Sequence, residues 1–242
     1  MSFYEEIADY YDLIFPFNKA HIDFVKSCVD EPYIAKKALD AGCGTGDLVI
    51  ALGDMGFCAV GIDDDAMMLH KAGEKVKNEN SVEFIRLDMA EIERYFAVPV
   101  FDAVLCFGNT LVHLTGLSEI ESFCKQVRDV LKDKGRFLLQ ILNYDHILDH
   151  NINKLPLIEN NVIVFERFYE YDDKNSLIRF RTVLTVKESM RIIENTIPLY
   201  PLRKQELDAV LKKAGFTNVS YYGDFDRREL KEDSLPLVAE AS

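Results

Sequence analysis

The chain has 242 residues, 48% of them hydrophobic, with 16 Phe and 11 Tyr but no Trp, so one domain of residues 1–242 carrying an insertion is expected over two domains. Its 41 acidic residues against 28 basic ones give a formal charge of -13. The cations fall in scattered pairs such as Lys36-Lys37 and Arg227-Arg228, which disfavours a nucleic-acid partner whose phosphates need neutralising.

In chain order, amphipathic helical segments come first, Phe3 to Leu13 and Ala20 to Val29. Strand Ala38–Asp40, helix Asp47–Met55, strand Cys58–Ile62 and helix Ala66–Lys77 follow. Strands Val82–Leu87 and Phe101–Phe107, helix Ser118–Leu131 and strand Arg136–Leu142 continue the alternation. Gly135, after Lys132-Asp133-Lys134, is placed as a helix C-cap leading into that strand. Alternating β and α units of this length predict a parallel sheet with helices on both faces. The pattern then changes. Val162–Tyr171 and Leu177–Val186 flank Asp172-Asp173-Lys174-Asn175-Ser176, a hairpin signal, and Met190–Leu199 adds a third antiparallel strand. Helix Arg203–Ala214 ends at Gly215, and Thr217–Tyr222 and Leu235–Ala241 close the chain. The expected fold class is therefore α/β: a Rossmann-like, doubly wound, mostly parallel seven-stranded sheet. Antiparallel strands, residues 152–200, are inserted after its fifth strand as a lid over the carboxyl edge.

Three further exclusions follow from local patterns. The five cysteines (Cys28, Cys43, Cys58, Cys106, Cys124) show no CxxC pair and read as buried thiols of a reducing compartment, with no metal site. The opening MSFYEEIADYYD lacks a signal pattern, and no apolar run approaches spanning length, so a cytoplasmic location without a membrane partner is expected. His146 and His150 are four apart on HILDH, which lacks the HExxH order of a helical zinc site.

The richest segment is Leu39-Asp40-Ala41-Gly42-Cys43-Gly44-Thr45-Gly46-Asp47-Leu48, with Asp63 closing the next apolar run. Glycines between a strand and a helix let a backbone approach a ligand closely. An acid at the end of the second strand is placed to grip a ribose. The spacing is GxGxG, unlike the GxGxxG of dinucleotide folds, and no P-loop is present. Asp47, in the first helical turn, would repel a pyrophosphate at the helix N-terminus. S-adenosyl-L-methionine carries a ribose, an ammonium and a sulfonium but no phosphate, and suits an acidic loop better.

With these residues in view, the chain resembles the class I S-adenosylmethionine-dependent methyltransferases, and within them the glycine and sarcosine N-methyltransferase type. Phe107-Gly108-Asn109-Thr110-Leu111-Val112-His113-Leu114 looks like that type's GNS-x-x-HL run, and Asn143-Tyr144-Asp145-His146-Ile147-Leu148 like its NYD-x-IL run. Leu199-Tyr200-Pro201-Leu202 and Gly223-Asp224-Phe225 resemble its ending. The resemblance implies transfer of a methyl group to a small-molecule acceptor, with N-methylation favoured. It implies cofactor contacts at Tyr11, Asp40, Gly42, Gly44, Asp63, Asp88, Met89 and Phe107. Catalytic groups are expected at Asn109, His113 and Asn143, and substrate contacts at Asn143, Arg167, Arg181 and Tyr200. One departure matters: where glycine-type enzymes commonly hold an acid and an arginine before NYD, this chain has Gln140, Ile141 and Leu142. Competing readings of the same fold are an NAD-dependent oxidoreductase, which the loop opposes, and a cofactor-binding regulatory protein without turnover.

Overall fold

The structure, a computed structural model, describes residues 3–77 and 82–242. The N-terminal segment expected as one helix is broken into α1 (Phe3–Ile7), a 3-10 turn (Ala8–Tyr10) and α2 (Tyr11–Ile14). Then come α3 (Lys19–Cys28), β1 (Lys37–Ala41), α4 (Asp47–Asp54), β2 (Cys58–Asp63), α5 (Ala66–Lys75) and β3 (Val82–Arg86). After a short α6 (Ile92–Tyr95) the chain enters β4 (Phe101–Cys106), α7 (Leu117–Val130), β5 (Leu131–Leu142) and α8 (Tyr144–Asp149). A separate antiparallel unit contains β6 (Ile158–Glu159), β7 (Ile163–Asp172), β8 (Leu177–Val186) and β9 (Arg191–Leu199). The chain finishes with α9 (Lys204–Ala214), β10 (Val219–Tyr222) and β11 (Pro236–Ala241).

The main sheet has seven strands in the order β10-β11-β5-β4-β1-β2-β3. β5, β4, β1, β2 and β3 run parallel, and β11 is antiparallel to both its neighbours. Alternation along the strands sends Leu39, Ala41, Val104, Cys106, Phe137 and Leu139 into the core under α7 and α9. The residues between them, Ala38, Ala103, Leu105 and Leu138, pack with Ile22, Val25, Leu48 and Leu52 of α3 and α4 on the other face. Every strand of the centre is thus covered on both sides, as a parallel sheet requires. β1 and β4 are neighbours while the chain leaves them in opposite directions, so a crevice opens at their carboxyl ends.

The second sheet, β6-β7-β8-β9, stands over that edge. Its inward face buries Ile163, Phe165, Leu184 and Ile193 against Phe3, Ile7 and Ile14 of the N-terminal segment and Met68 of α5. The segment is also pinned by polar contacts: Asp9 to Lys71 at 2.7 Å, and Asn195 Nδ2 to Glu6 Oε2 at 3.1 Å.

Two details differ from the sequence reading. Gly135 caps no helix: α7 stops at Val130, and β5 begins at Leu131, where it pairs with Phe101 before Arg136 pairs with Ala103. Residues 132–135 are therefore a bulge inside the strand. A Cβ on Gly135 would lie 3.1 Å from the Phe101 carbonyl oxygen and 2.8 Å from Leu131 Cδ2. Gly46, read as room for a ligand, serves packing instead. It has φ +80°, and a Cβ there would sit 2.6 Å from the Phe84 ring and 2.7 Å from Ala72 Cβ. Gly46→Ala is therefore expected to lose about 1–3 kcal/mol of stability through overpacking and a disallowed backbone; a urea midpoint unchanged from the parent would contradict this.

Candidate active site

A cavity of about 800 Å³ lies at the carboxyl ends of β1, β2, β3 and β4, within the size range of small-molecule sites. Its floor is Gly42 and Gly44 on the β1 side, the Asp63-Asp64-Asp65 turn after β2, and Leu87-Asp88-Met89 after β3. Gly108, Thr110, His113 and Leu114 follow β4 on the far wall. Phe3, Tyr4, Glu5 and Tyr11 form the roof, and Ile197 and Pro198 of β9 close one end.

The glycine loop is fixed by Asp63. Its Oδ2 accepts from the Gly44 amide at 2.9 Å and its Oδ1 from the Asp65 amide at 3.0 Å. Each carboxylate oxygen keeps lone-pair capacity beyond that one backbone bond. Burial raises the Asp63 carboxyl to about 6, against the lowering effect of those two amides. Asp40, 4% exposed and behind the loop, is raised to about 7 by burial and by the charge of Asp63. Asp65 turns the chain into α5 by accepting from the Met67 and Met68 amides, and Asp88 does the same for the Ala90 amide at 2.8 Å.

Glycine is needed at two points of this floor. A Cβ on Gly42 (φ +76°) would meet Thr110 Cγ2 at 2.3 Å, and one on Gly44 (φ +53°) would meet the Tyr11 ring at 3.2 Å. Tyr11 therefore lies directly over the loop, and burial with the Asp63 charge keeps its hydroxyl protonated. Beside it Tyr4 Oη is 3.0 Å from His113 Nε2. Burial lowers His113 to about 4 and raises Tyr4, so both are neutral at pH 7.

Of the residues singled out in the sequence, Tyr11, Gly42, Gly44, Asp63, Asp88, Met89 and His113 line this cavity. Others do not. Phe107 points to the opposite face, with ring centroids 5.0 Å from Phe225 and 6.4 Å from Phe24. Asn109 has both ends of its amide in use: Oδ1 accepts from the Leu142 amide at 2.9 Å and Nδ2 donates to Tyr144 Oη at 3.0 Å. Asn143 caps α8 by accepting from the His146 amide, and its Nδ2 donates to the Ser234 carbonyl at 3.0 Å.

The four expected substrate contacts thus fall outside the cavity. Arg181 lies on the outer face of the second sheet, 4.2 Å above the Phe168 ring. Arg167 is on the inner face, but its Nη2 donates to the Pro156 carbonyl at 2.7 Å, and its buried Nε has no partner. Tyr200 Oη donates to Glu206 at 2.9 Å. Asp47 also needs correction as the phosphate-repelling group: Lys75 holds it at 2.9 Å and Asp12 at 2.6 Å. The acidity of the cavity comes from Glu5, Asp63, Asp64, Asp65 and Asp88, with Arg86 the cation in its lining.

The residues missed were mainly in the roof. Phe3, Tyr4 and Glu5 stand there beside the expected Tyr11, and the 3-10 turn between Tyr4 and Tyr11 breaks the helical periodicity that could have aligned them. Ile197 and Pro198 carried no local signal, because the crossing of β9 over the crevice is set by tertiary packing.

This fold and floor define a nucleoside-binding Rossmann-like domain. A methyltransferase-domain family pattern matches residues 38–135. A glycine/sarcosine N-methyltransferase of Aphanothece halophytica is 30% identical over 200 residues, covering 82% of this chain and 73% of that protein. In fold the chain is similar to the CcbJ methyltransferase of Streptomyces caelestis, with TM-score 0.83 at 24% identity over 98% of this chain and 96% of that one. An S-adenosylmethionine-dependent methyltransferase from Clostridium acetobutylicum gives TM-score 0.81 at 17% identity over 100% and 99%. The chain belongs to the class I S-adenosylmethionine-dependent methyltransferases. The oxidoreductase alternative is thereby set aside.

Asn109→Ala removes the partner of the Leu142 amide at the β4–β5 junction. It should cost about 1–3 kcal/mol of unfolding free energy, measured by urea denaturation. A midpoint equal to that of the parent protein would restore a role for Asn109 other than structural.

Proposed function

We propose that this protein transfers a methyl group from S-adenosyl-L-methionine to the nitrogen of a small-molecule amine, with the cofactor held on the Gly42–Asp63–Asp88 floor. The observation that carries this reading is Asp63: a carboxylate tied to the glycine loop by one oxygen and to the next turn by the other, with spare acceptor capacity for two ribose hydroxyls. Gly42 and Gly44 leave the backbone bare for the methionine part. Asp88 and Met89 stand where an adenine edge would lie, and Tyr11 covers the loop. Asp40 and Asp63 place negative charge behind the site, which favours a cationic ligand and opposes a phosphate.

When bound, the sulfonium supplies the methyl group and is itself the leaving group. The protein's share is positioning, and orientation of a reacting pair is worth roughly 7–11 kcal/mol. An amine must present its lone pair, so the site needs a neutral polar contact near it and no strong base. Tyr4 and His113 form such a contact: with Tyr4 donating to Nε2, its oxygen remains an acceptor for an acceptor N–H. N-methylation is favoured over O-methylation because His113, depressed to about 4 by burial, is a poor base for a hydroxyl. The expected partner is a small molecule. Among the described residues no helix is long and apolar enough to cross a membrane; a cytoplasmic location and the lid role of the strands in 152–200 belong to this proposal.

Asp63 supplies the test. A bound ribose stabilises its charged form, so its pKa falls on binding and affinity must weaken as pH drops below the free-state value of about 6. Titration calorimetry with S-adenosylhomocysteine between pH 5 and 8 should show affinity flat above about 6 and falling by up to about tenfold per unit below it. Asp63→Asn should bind more weakly at pH 7, by about 1.5–3 kcal/mol for the lost charged hydrogen bonds, and should lose most of the pH dependence. Absent binding of S-adenosylhomocysteine by the parent protein would end the proposal.

A further inference from the structure

We infer that the methyl acceptor is an amine with an apolar body and no carboxylate, and that glycine and sarcosine are poor substrates. The inference rests on the methyl-transfer reading and specifies its acceptor. The two ends of the cavity differ in chemistry. Polar groups cluster at the end of β2 and β3, where Asp63, Asp88 and Arg86 face the nucleoside half of the site. Past Gly108 the walls carry Phe3, Leu114, Ile197 and Pro198 beside the neutral Tyr4–His113 pair, with Thr110, whose hydroxyl donates to the Phe107 carbonyl, and the Glu5 carboxylate as further polar residues of the lining. An α-amino acid brought there would have its carboxylate against hydrocarbon, neutral hydroxyl and imidazole groups and the Glu5 carboxylate, with Arg86 the one Lys or Arg among the described residues of the lining.

A buried carboxylate needs a cation, best a guanidinium that binds both oxygens. The chain's arginines near this end are engaged elsewhere. Arg203 is bound to Asp145 and Asp149, Arg179 to Glu170, and Arg181 is on the far face of its sheet. Arg86 donates its Nε to the Asp64 carbonyl at 3.0 Å, at the nucleoside end. Arg167 is the exception: it faces inward with its Nη2 on the Pro156 carbonyl and its buried Nε without a partner, but it lies outside the lining. The field of the lining adds to this, since five carboxylates face one guanidinium, which draws in a protonated amine and repels an acid.

Matched pairs of acceptors that differ by a carboxylate test the inference: phenethylamine against phenylalanine, and methylamine against glycine. Methyl transfer by the full chain is measured at saturating S-adenosylmethionine, and binding of each amine to the protein saturated with S-adenosylhomocysteine is measured by calorimetry. The carboxylate-free member of each pair should be preferred by about tenfold or more in kcat/KM and in affinity, and phenethylamine should exceed methylamine. Ile197→Arg, which puts a guanidinium into the apolar wall, should shift the preference toward phenylalanine by about tenfold. Equal use of both members, preference for the carboxylated one, or no binding of any carboxylate-free amine overturns the inference. A preference for glycine that Arg167→Gln abolishes would overturn it too, and would assign that guanidinium to the acceptor. Binding of S-adenosylhomocysteine in the same titrations separates these outcomes from failure of the methyl-transfer reading itself.

Discussion

The bond from the Gly44 amide to Asp63 is the constraint on which the site depends. It joins the loop after β1 to the end of β2, and the other oxygen of the same carboxylate fixes the turn that starts α5. Without it the glycine loop, with three positive φ values at Gly42, Gly44 and Gly46, would have many conformations open to it, since glycine restricts the chain least. The cost is a buried carboxylate whose ionisation is disfavoured. Such a group is held in place by surrounding structure, and a ligand that donates to it relieves part of the cost. Structural and binding roles therefore coincide in one side chain.

The roof follows a different logic. α1 and α2 are too short to be stable alone, and their apolar stripe, Phe3, Ile7 and Ile14, is buried between Met68 of the main domain and Ile163, Phe165 and Ile193 of the second sheet. Removing the second sheet would leave that stripe without most of its apolar partners. The segment thus acts as a wedge whose order depends on both sheets, and it carries Tyr4 and Tyr11 into the cavity. Breaks at the 3-10 turn let the chain bend over the edge, which a single straight helix from Phe3 to Leu13 could not do.

The main sheet was legible in the sequence because its signals are local. Strand-length apolar runs alternate with helical patterns, and the positions of Gly42, Gly44, Asp63 and Asp88 at strand ends follow from that alternation alone. Asn109 and Asn143 also sit at strand ends, and there the same reasoning failed. A short amide at a strand end has two uses, contacting a ligand or satisfying nearby backbone groups, and spacing does not separate them. Gln140 is similar: its Oε1 accepts from the Gly108 amide at 2.9 Å, so the polar residues around the β4 and β5 ends are spent holding those ends together. Arg181 was misplaced for a simpler reason. On a strand, one step in register exchanges the faces, and which face looks at the crevice depends on how the second sheet docks.

Asp47 shows how charge read along a chain misleads. From the sequence it is an anion in the first turn of α4, facing any phosphate that might dock there. In three dimensions Lys75, from the last turn of α5, reaches back to it and to Asp12, so Asp47 is half of a shared ion pair and lies outside the cavity lining. The negative field at the cavity comes instead from the carboxylates of its lining, Asp63 among them, and the charge of Asp63 also raises the cost of ionising Asp40 behind the loop. A positive ligand stabilises the ionised form of these buried carboxyls, and a phosphate would add negative charge beside them. The same field favours the sulfonium and ammonium groups of the cofactor, and the proposed exclusion of an anionic acceptor would share that electrostatic origin.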